Sequence, residues 1–162
     1  MIKRNISNKL IGLAKQVPVV TIIGPRQSGK TTLVKRSFPE YNYVNLEDPV
    51  NRMFAKEDYR GFFEAYKEPV IIDEVQRVPE LLSAIQVMVD EDRGKNGRFI
   101  LTGSHQPRLQ RGIAQSLAGR TGILTLLPLS MRELAEEGLL EELSTDQLLL
   151  KGFMPELYRE GS

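Results

Sequence analysis

The chain has 162 residues, of which 41% are hydrophobic and 27% charged, and its net charge is +1. This balance is typical of a globular domain large enough to bury a core, and it does not favour binding by charge alone. The chain has no cysteine, which excludes disulfides and thiolate metal sites, and its single histidine provides no basis for a zinc site. It has no run of about eighteen apolar residues, and its first residues lack the apolar run of a secretory signal. We therefore expect a cytoplasmic protein with no membrane association.

Apolar segments along the chain predict strands that alternate with helices. A helix over 3–16 precedes the β-branched run 19–23, which is typical of a strand buried on both faces. Further strands are predicted at 41–46, 70–73, 99–102 and 123–126. Helices are predicted at 30–37, 50–67, 79–92 and near 109–119, and after the capping-box residues Ser130 and Ser144. We therefore expect a three-layer α/β/α sandwich around a parallel five-stranded sheet.

Residues 24–31 read Gly-Pro-Arg-Gln-Ser-Gly-Lys-Thr and match the P-loop pattern G-x-x-x-x-G-K-[ST] at every fixed position. The motif follows a predicted strand and opens a predicted helix, where backbone N–H groups and the helix dipole attract phosphate. Lys30 is predicted to reach the β- and γ-phosphates, and Thr31 to hold Mg²⁺. The predicted nucleotide-binding residues are Gly24, Pro25, Arg26, Gln27, Ser28, Gly29, Lys30, Thr31 and Thr32. At the variable position of Arg26, a solvated side chain is the alternative to a phosphate contact.

The predicted strand 70–73 ends in a carboxylate, Asp73, and a second carboxylate, Glu74, follows it directly. Ligands of open α/β sheets lie at the carboxyl ends of the strands, so Asp73 is predicted to hold Mg²⁺ and Glu74 to act as general base toward water. The alternative is an acidic strand end that faces solvent. GTPases carry Asp-x-x-Gly where residues 73–76 read Asp-Glu-Val-Gln, and no Asn-Lys-x-Asp is present. Small-molecule kinases, which usually lack the adjacent glutamate, remain the enzyme alternative.

Polar residues also lie at the end of the predicted strand 99–102 and just beyond it. A hydroxyl at this position can bond the γ-phosphate or the attacking water, and Ser104 is the first candidate, with Thr102 second. The alternative is that Ser104 caps the helix that begins at Pro107. The predicted strand 41–46 lies between the two motifs in the chain, so their strands need not be neighbours in the sheet.

Five segments in a fixed order resemble one protein family. They read GPRQSGKTTL at 24–33, IDEVQ at 72–76, LTGS at 101–104, SLAGR at 116–120 and LPLS at 127–130. The chain resembles the prokaryotic predicted AAA+-like ATPases, in which an N-terminal ATPase domain precedes a C-terminal domain of unknown function. The resemblance runs from residue 2 to residue 157. SLAGR and LPLS are its more specific marks, since many ATPases share the first two segments.

The resemblance implies the additional-strand class of P-loop NTPases, which includes AAA+ and RecA-like proteins, with ATP and Mg²⁺ as ligands and ADP as product. It implies a sensor role for Ser104 and a γ-phosphate contact for Arg120, in cis or from a neighbouring subunit. The alternative for Arg120 is a helix-terminal arginine that bonds the last carbonyls. Residues 1–151 are assigned to the ATPase domain and 152–162 to the start of a missing C-terminal domain or to a linker. A homo-oligomer is expected by fold analogy.

Two other functions remain alternatives to ATP hydrolysis coupled to an attached domain or partner. One is a nucleotide-gated switch or interaction module with little turnover of its own. The other is nucleic-acid binding through basic residues at 3–15 or at 108–120, because such residues can meet phosphate backbones. The near-neutral charge and the acidic stretch over 133–142 stand against nucleic-acid binding.

Overall fold

The computed structural model describes residues 2–140 and 143–158. Within these residues it forms a parallel sheet of five strands in the order β2-β3-β4-β1-β5. The strands are β1 Val19–Gly24, β2 Asn42–Asn45, β3 Val70–Asp73, β4 Phe99–Ser104 and β5 Thr121–Thr125. The predicted five-stranded parallel sheet is confirmed. The edge strand β5 begins two residues before the predicted apolar run at 123, because its pairing with β1 extends to Thr121.

Helices connect the strands in the described ranges. They are α1 Ser7–Ala14, α2 Lys30–Ser37, α3 Pro49–Glu57, α4 Tyr59–Ala65, α5 Leu81–Glu91, α6 Pro107–Ser116, α7 Met131–Glu136 and α8 Thr145–Lys151, with 3-10 turns at Val75–Arg77 and Pro155–Tyr158. The capping boxes predicted at Ser130 and Ser144 are both formed. In residues 2–140 and 143–158, no helix has both the length and the apolar character needed to cross a membrane.

The single helix predicted over 50–67 is instead two helices, α3 and α4. Asp58 ends α3 with a non-helical backbone, at φ −141° and ψ 76°. Its carboxylate accepts a hydrogen bond from the N–H of Gly61 at 2.9 Å, which caps the first turn of α4. A side-chain cap of this kind satisfies a backbone donor that a continuous helix would have bonded internally, so the chain can change direction here.

The sheet is buried on both faces, which confirms the predicted three-layer sandwich. Val19 and Ile23 of β1 point into a cluster with residues of α3, α4, α5 and α6. Val20 and Ile22 point to the other face, where residues of α1 and α2 cover them. Successive residues of a strand face opposite sides, so an uninterrupted apolar run requires cover on both sides.

The strand order brings the two motifs to one edge of the sheet without making their strands neighbours. The strand that separates β1 from β3 is β4, which follows both in the chain, while β2 lies at the sheet edge beyond β3. In the register of the sheet, Gly24 pairs with Ser104 and Asn45 with Asp73. The carboxyl ends of the strands therefore meet where the P-loop begins.

A third apolar cluster lies in the C-terminal part of the chain. Leu129, Leu134 and Leu148 form its buried centre, and Phe153 and Tyr158 pack against it. The described part of 152–162 thus packs against the preceding residues, and the domain boundary at 151 stays a prediction. Residues 159–162, and the pair 141–142 from the predicted acidic stretch, lie outside the described residues.

Candidate functional site

The loop between β1 and α2 has the backbone of an anion-binding turn. Gln27 and Gly29 both have positive φ, at 61° and 89°. Gly29 is the N-cap of α2 in the left-handed conformation, which glycine adopts without the steric penalty of a side chain. The helix then begins at Lys30, so its first N–H groups and its positive dipole end lie at the loop.

Lys30 folds back into this loop. Its ammonium donates to the carbonyls of Gly24 at 3.1 Å and Pro25 at 2.7 Å, and the residue is only 4% exposed. The Ser28 hydroxyl also donates to the Pro25 carbonyl, at 2.9 Å. Burial lowers the pKa of the Lys30 amine, against the opposing effect of the nearby carboxylates Glu74 and Asp73. A buried ammonium with carbonyl partners alone would gain from an anionic ligand.

Asp73, at the end of β3, accepts hydrogen bonds from three hydroxyl groups. Thr31 and Tyr43 donate to its Oδ2 at 2.7 Å and 2.8 Å, and Thr102 donates to its Oδ1. The predicted metal-binding pair, Thr31 and Asp73, is therefore in direct contact. Because the Thr31 hydroxyl uses its proton on Asp73, the lone pairs of its oxygen stay free for a cation.

Tyr43 is a site residue that sequence reasoning missed. It lies on the edge strand β2, and a tyrosine in a strand is expected to have a structural role. Only the pairing of β2 with β3 brings its hydroxyl to Asp73. Burial, and then the Asp73 carboxylate, raise the pKa of Tyr43, so the phenol stays protonated and remains a donor. The ammonium of Lys35 lies 3.6 Å from the centre of its ring.

Glu74 follows with a left-handed backbone, at φ 60° and ψ 45°. Its N–H donates to the Thr102 hydroxyl at 3.1 Å, and its carboxylate accepts a hydrogen bond from the Gln76 amide. Ser104 lies on the other side of this amide, and the distance between the Gln76 Nε2 and the Ser104 Oγ is 3.5 Å. The N-cap of α6 is Gln106, so the capping role considered for Ser104 is not the one observed. Thr102, the second sensor candidate, donates a hydrogen bond from its hydroxyl to Asp73.

Arg4 is the other functional candidate that the motifs did not identify. Its Nη1 donates to the P-loop carbonyl of Ser28 at 2.7 Å, and its Nη2 donates to the Leu127 carbonyl at 2.6 Å. Its Nε donates to Glu133 at 3.0 Å, with side-chain exposures of 10% and 6% for the two partners. One arginine thus joins the N-terminal segment, the P-loop and α7. No local pattern around Arg4 could have indicated a contact 129 residues away.

Arg26 lies outside the P-loop interior. Its side chain is 76% exposed, and its nearest acidic partner is Glu47 at 3.6 Å. Glu47 is also bonded by Arg77 at 2.8 Å, which forms a small charged group on the surface. This placement agrees with the solvated alternative considered for Arg26.

Arg120 lies at the amino ends of the strands, whereas the P-loop lies at their carboxyl ends. Its carbonyl accepts from the N–H of Val19, the first residue of β1, whereas the P-loop follows the last residue. Its guanidinium donates to Asp90 at 2.9 and 2.7 Å and to the Ala118 carbonyl at 2.9 Å. The six residues of β1 place these two ends of the sheet about 20 Å apart, at roughly 3.3 Å per residue. At this distance Arg120 cannot reach a γ-phosphate in its own P-loop, and the bond to Ala118 agrees with the structural alternative.

A cavity of about 960 Å³ opens beside the P-loop. Its lining contains the predicted site residues Gln27, Gly29, Lys30, Thr31, Thr32 and Glu74. The N-terminal segment and the C-terminal part of the chain add apolar residues, among them Ile2, Ile11, Leu129 and Leu139, and charged ones, among them Arg4 and Glu137. A concave site with apolar walls and a few converging polar groups is the usual form of a small-ligand pocket.

The AAA domain family matches residues 16–135 of this chain. An uncharacterized protein of Mycobacterium bovis and one of Mycobacterium tuberculosis are each 33% identical to it over 162 aligned positions, covering 94% of this chain and 33% of the relative. The chain therefore spans about a third of the length of the curated relatives it matches.

Solved structures share the fold at lower identity. A Walker-type ATPase of Pyrococcus abyssi matches with a TM-score of 0.60 and 20% identity, over 84% of this chain and 56% of that one. AMPPCP-bound DnaA of Aquifex aeolicus matches with a TM-score of 0.60 and 15% identity, over 94% of this chain and 56% of that one. Together with the family match and the loop described above, these similarities identify the chain as a member of the AAA domain family, with the three-layer fold and the ATPase-type nucleotide site of an AAA+-like P-loop protein.

Proposed function

We propose that this domain binds ATP together with Mg²⁺, hydrolyses it, and couples the turnover to an attached domain or partner. The observation that carries the proposal is the convergence of three groups at one sheet edge. The Lys30 ammonium is buried in the P-loop, Thr31 contacts Asp73 at 2.7 Å, and Glu74 lines the same cavity as Lys30. Phosphate binding, metal binding and proton acceptance require these three chemistries side by side.

The residues present suit a magnesium nucleotide. Mg²⁺ prefers six oxygen ligands and usually takes only one or two from protein, the rest coming from phosphates and water. Thr31 would ligate the ion through its hydroxyl oxygen, and Asp73 would hold it directly or through water. When bound, Mg²⁺ neutralises charge on the phosphates. Lys30 would exchange its carbonyl partners for phosphate oxygens, and Glu74 would accept a proton from the attacking water.

Apolar residues in the cavity lining support a place for a nucleoside base. Ile11, Leu129 and Leu139 line the same cavity as the P-loop residues. Apolar side chains favour the faces of a flat aromatic base, while the P-loop favours its phosphates. This combination suits a purine nucleotide, and the missing guanine signatures favour ATP over GTP.

Replacement of Glu74 with glutamine tests the hydrolysis. We expect phosphate release from Mg²⁺-ATP to fall at least about a hundredfold, because proton acceptance contributes roughly 10²- to 10⁴-fold to such reactions. ATP affinity, measured by calorimetry, should stay within about threefold, since glutamine has the same shape. The matched control is Glu64→Gln at an exposed glutamate of α4, which should turn over as the wild type does.

Equal inactivity of wild type and Glu74→Gln, with ATP still bound, would contradict hydrolysis by this chain. The nucleotide-gated switch would then be favoured, and calorimetric titration with ATP and ADP would show a large difference in affinity between them. The bond between Gln76 and Glu74 and the coverage of only about a third of the relatives' length make the switch the second candidate.

Tyr43 provides a test of the metal site. Replacing Tyr43 with phenylalanine removes one of the hydroxyls that orient Asp73 and keeps the ring in place. We expect Mg²⁺ to bind the ATP complex about tenfold more weakly, as is common when a group that orients a metal ligand is lost. ATP affinity in EDTA should not change. Tyr41→Phe, which removes a hydroxyl from the same segment, is the control, and unchanged Mg²⁺ affinity in Tyr43→Phe would refute the orienting role.

The attached domain and the homo-oligomer belong to the same proposal. The threefold greater length of the curated relatives supports an attached domain. Because Arg120 lies at the far edge of its own sheet, a contact with the γ-phosphate would have to reach the nucleotide of a neighbouring copy. Arg4 and Arg120, one from each basic group considered for nucleic-acid binding, are engaged in ion pairs within the fold, which weakens that alternative.

A further inference from the structure

Gln76 connects two strands of the site through one side-chain amide. It lies in the 3-10 turn Val75–Arg77, directly after Glu74. Its Nε2 donates to the Glu74 carboxylate and lies 3.5 Å from the Ser104 hydroxyl, and its Oε1 accepts from the Ser104 N–H at 3.3 Å. The amide therefore contacts both the predicted base and the predicted sensor.

The bond from Ser104 determines which way the amide points. A backbone N–H can only donate, so it must face the oxygen of the Gln76 amide, and this turns the NH₂ group toward Glu74. A neutral amide can then orient the carboxylate by donating a hydrogen bond, while leaving its negative charge and its ability to accept a proton intact.

The turn that carries Gln76 is anchored on both sides. Val75 and Val78 are fully buried in the core cluster. Arg77 makes two hydrogen bonds to Glu47, at 2.9 and 2.8 Å. These contacts hold the backbone on both sides of Gln76 in place, which fixes the point from which its side chain reaches Glu74 and Ser104.

Gly103 makes room for this amide. A Cβ atom at position 103 would lie 2.9 Å from the Gln76 Oε1 and 2.4 Å from Cδ2 of Leu109. Both distances are shorter than van der Waals contact, so a larger residue would displace Gln76 or Leu109. The tip of β4 thus accommodates Gln76 in two ways: Gly103 has no side chain in its path, and the Ser104 N–H donates to its amide oxygen.

From this geometry we propose that Gln76 is a positioning residue, which orients the Glu74 carboxylate toward the attacking water and ties its orientation to the tip of β4 at Ser104. The inference rests on the proposed hydrolysis. A shift of Ser104 on contact with a γ-phosphate would move the partner that aligns the Gln76 amide, and the orientation of Glu74 would follow.

Gln76→Ala tests this role. We expect kcat to fall about ten- to a hundredfold, which is less than the roughly 10²- to 10⁴-fold contribution of a general base, because the base would be misplaced and not removed. ATP affinity should stay within about twofold, since Gln76 does not line the nucleotide cavity. Retained affinity also shows that the variant folds. Gln106→Ala, at an exposed glutamine two residues beyond Ser104, should match the wild type. Gln76→Glu, which keeps the shape but removes the donor and adds charge, should lose at least as much turnover as Gln76→Ala.

A double-mutant cycle separates positioning from an independent role. If Gln76 acts through Glu74, Gln76→Ala should cause no further loss in a Glu74→Gln background, measured by single turnover with protein in excess of ATP. Multiplicative losses would overturn the inference. Unchanged or increased kcat in Gln76→Ala would also overturn it, an increase because the amide would then be restraining the base.

A crystal structure of Gln76→Ala supplies a readout that does not depend on turnover. Glu74 should adopt a different side-chain rotamer or lose defined density, whereas an unchanged Glu74 would refute positioning even if the wild type proved inactive. Failure of the proposed hydrolysis has a different signature, namely equal phosphate release by wild type and Glu74→Gln.

Discussion

Lys30→Met is expected to lower ATP affinity at least about a hundredfold. The substitution removes the ammonium and with it the hydrogen bonds to two phosphates. Each such bond contributes about 1.5–3 kcal/mol when a charged group takes part. Since about 1.4 kcal/mol corresponds to a factor of ten in affinity, the two bonds together account for the expected loss. Methionine fills similar volume, so the loop keeps its packing. Calorimetric titration with ATP in the presence of Mg²⁺ measures the change.

The same substitution should leave the fold stable. Burial lowers the pKa of Lys30 from its ordinary value of 10.5, which means that the folded state disfavours the charged amine relative to the unfolded chain. Replacing it with an apolar side chain removes this desolvation cost, so the free energy of unfolding should not fall appreciably. Lys9→Met, at an exposed lysine of α1, is the matched control. An affinity of Lys30→Met within threefold of the wild type would show that the nucleotide does not use the P-loop.

Arg4→Ala is expected to cost about 3–5 kcal/mol of unfolding free energy, the usual loss when one partner of a buried ion pair is removed. Glu133 would stay buried without its cation, and the carbonyls of Ser28 and Leu127 would lose a donor. Urea unfolding at neutral pH measures the effect. Arg132→Ala is the matched control, because it also removes an arginine from an ion pair with a glutamate of α7, Glu136. In this pair the arginine side chain is 82% exposed. Exposed pairs contribute about 0–1 kcal/mol.

Glu133 gives this prediction a pH dependence. Burial favours its protonated form, but bonds from the N–H groups of Ser130 and Asn5 and from Arg4 outweigh burial and hold its pKa below the ordinary value of 4.5. Its contribution is therefore complete above pH 4.5 and is lost as the pH falls through the folded-state pKa. The stability difference between wild type and Glu133→Gln should narrow in that acidic range. Equal losses in Arg4→Ala and Arg132→Ala would contradict the buried pair.

Arg4 also links the nucleotide site to the C-terminal part of the chain. Arg4 donates one hydrogen bond to the P-loop carbonyl of Ser28 and another to the carboxylate of Glu133 on α7. The N–H groups of Asn5 and Ser130 donate to the same carboxylate. A change in the loop on nucleotide binding can therefore reach the cluster around Leu129 through one side chain. Under the proposed function, this chain of contacts is a candidate route for coupling turnover to an attached domain.

The local sequence was sufficient for the P-loop, the buried strands and the acidic pair at 73–74. Each depends on residues close together in the chain: a fixed motif spacing, an apolar run, or a carboxylate directly after a strand. The predicted position of Asp73 beside the P-loop, where the structure shows it bonded to Thr31, followed from the general rule that the carboxyl ends of parallel strands meet at one edge. The break at Asp58 was missed because a side-chain cap competes with helical periodicity and does not alter it.

The P-loop pattern and the Asp-Glu pair thus indicated by themselves a nucleotide site of the ATPase type, whereas the tertiary structure decided which groups surround that site. The order of the strands placed β4 between the motifs, brought Tyr43 and Thr102 to Asp73, and put Ser104 against Gln76. It also placed Arg120 at the far edge of the sheet, where its partner is Asp90. The physical reason is that periodicity and motif spacing report on neighbours along the chain, while these contacts join residues about 30 positions apart across strands whose sheet order differs from their chain order.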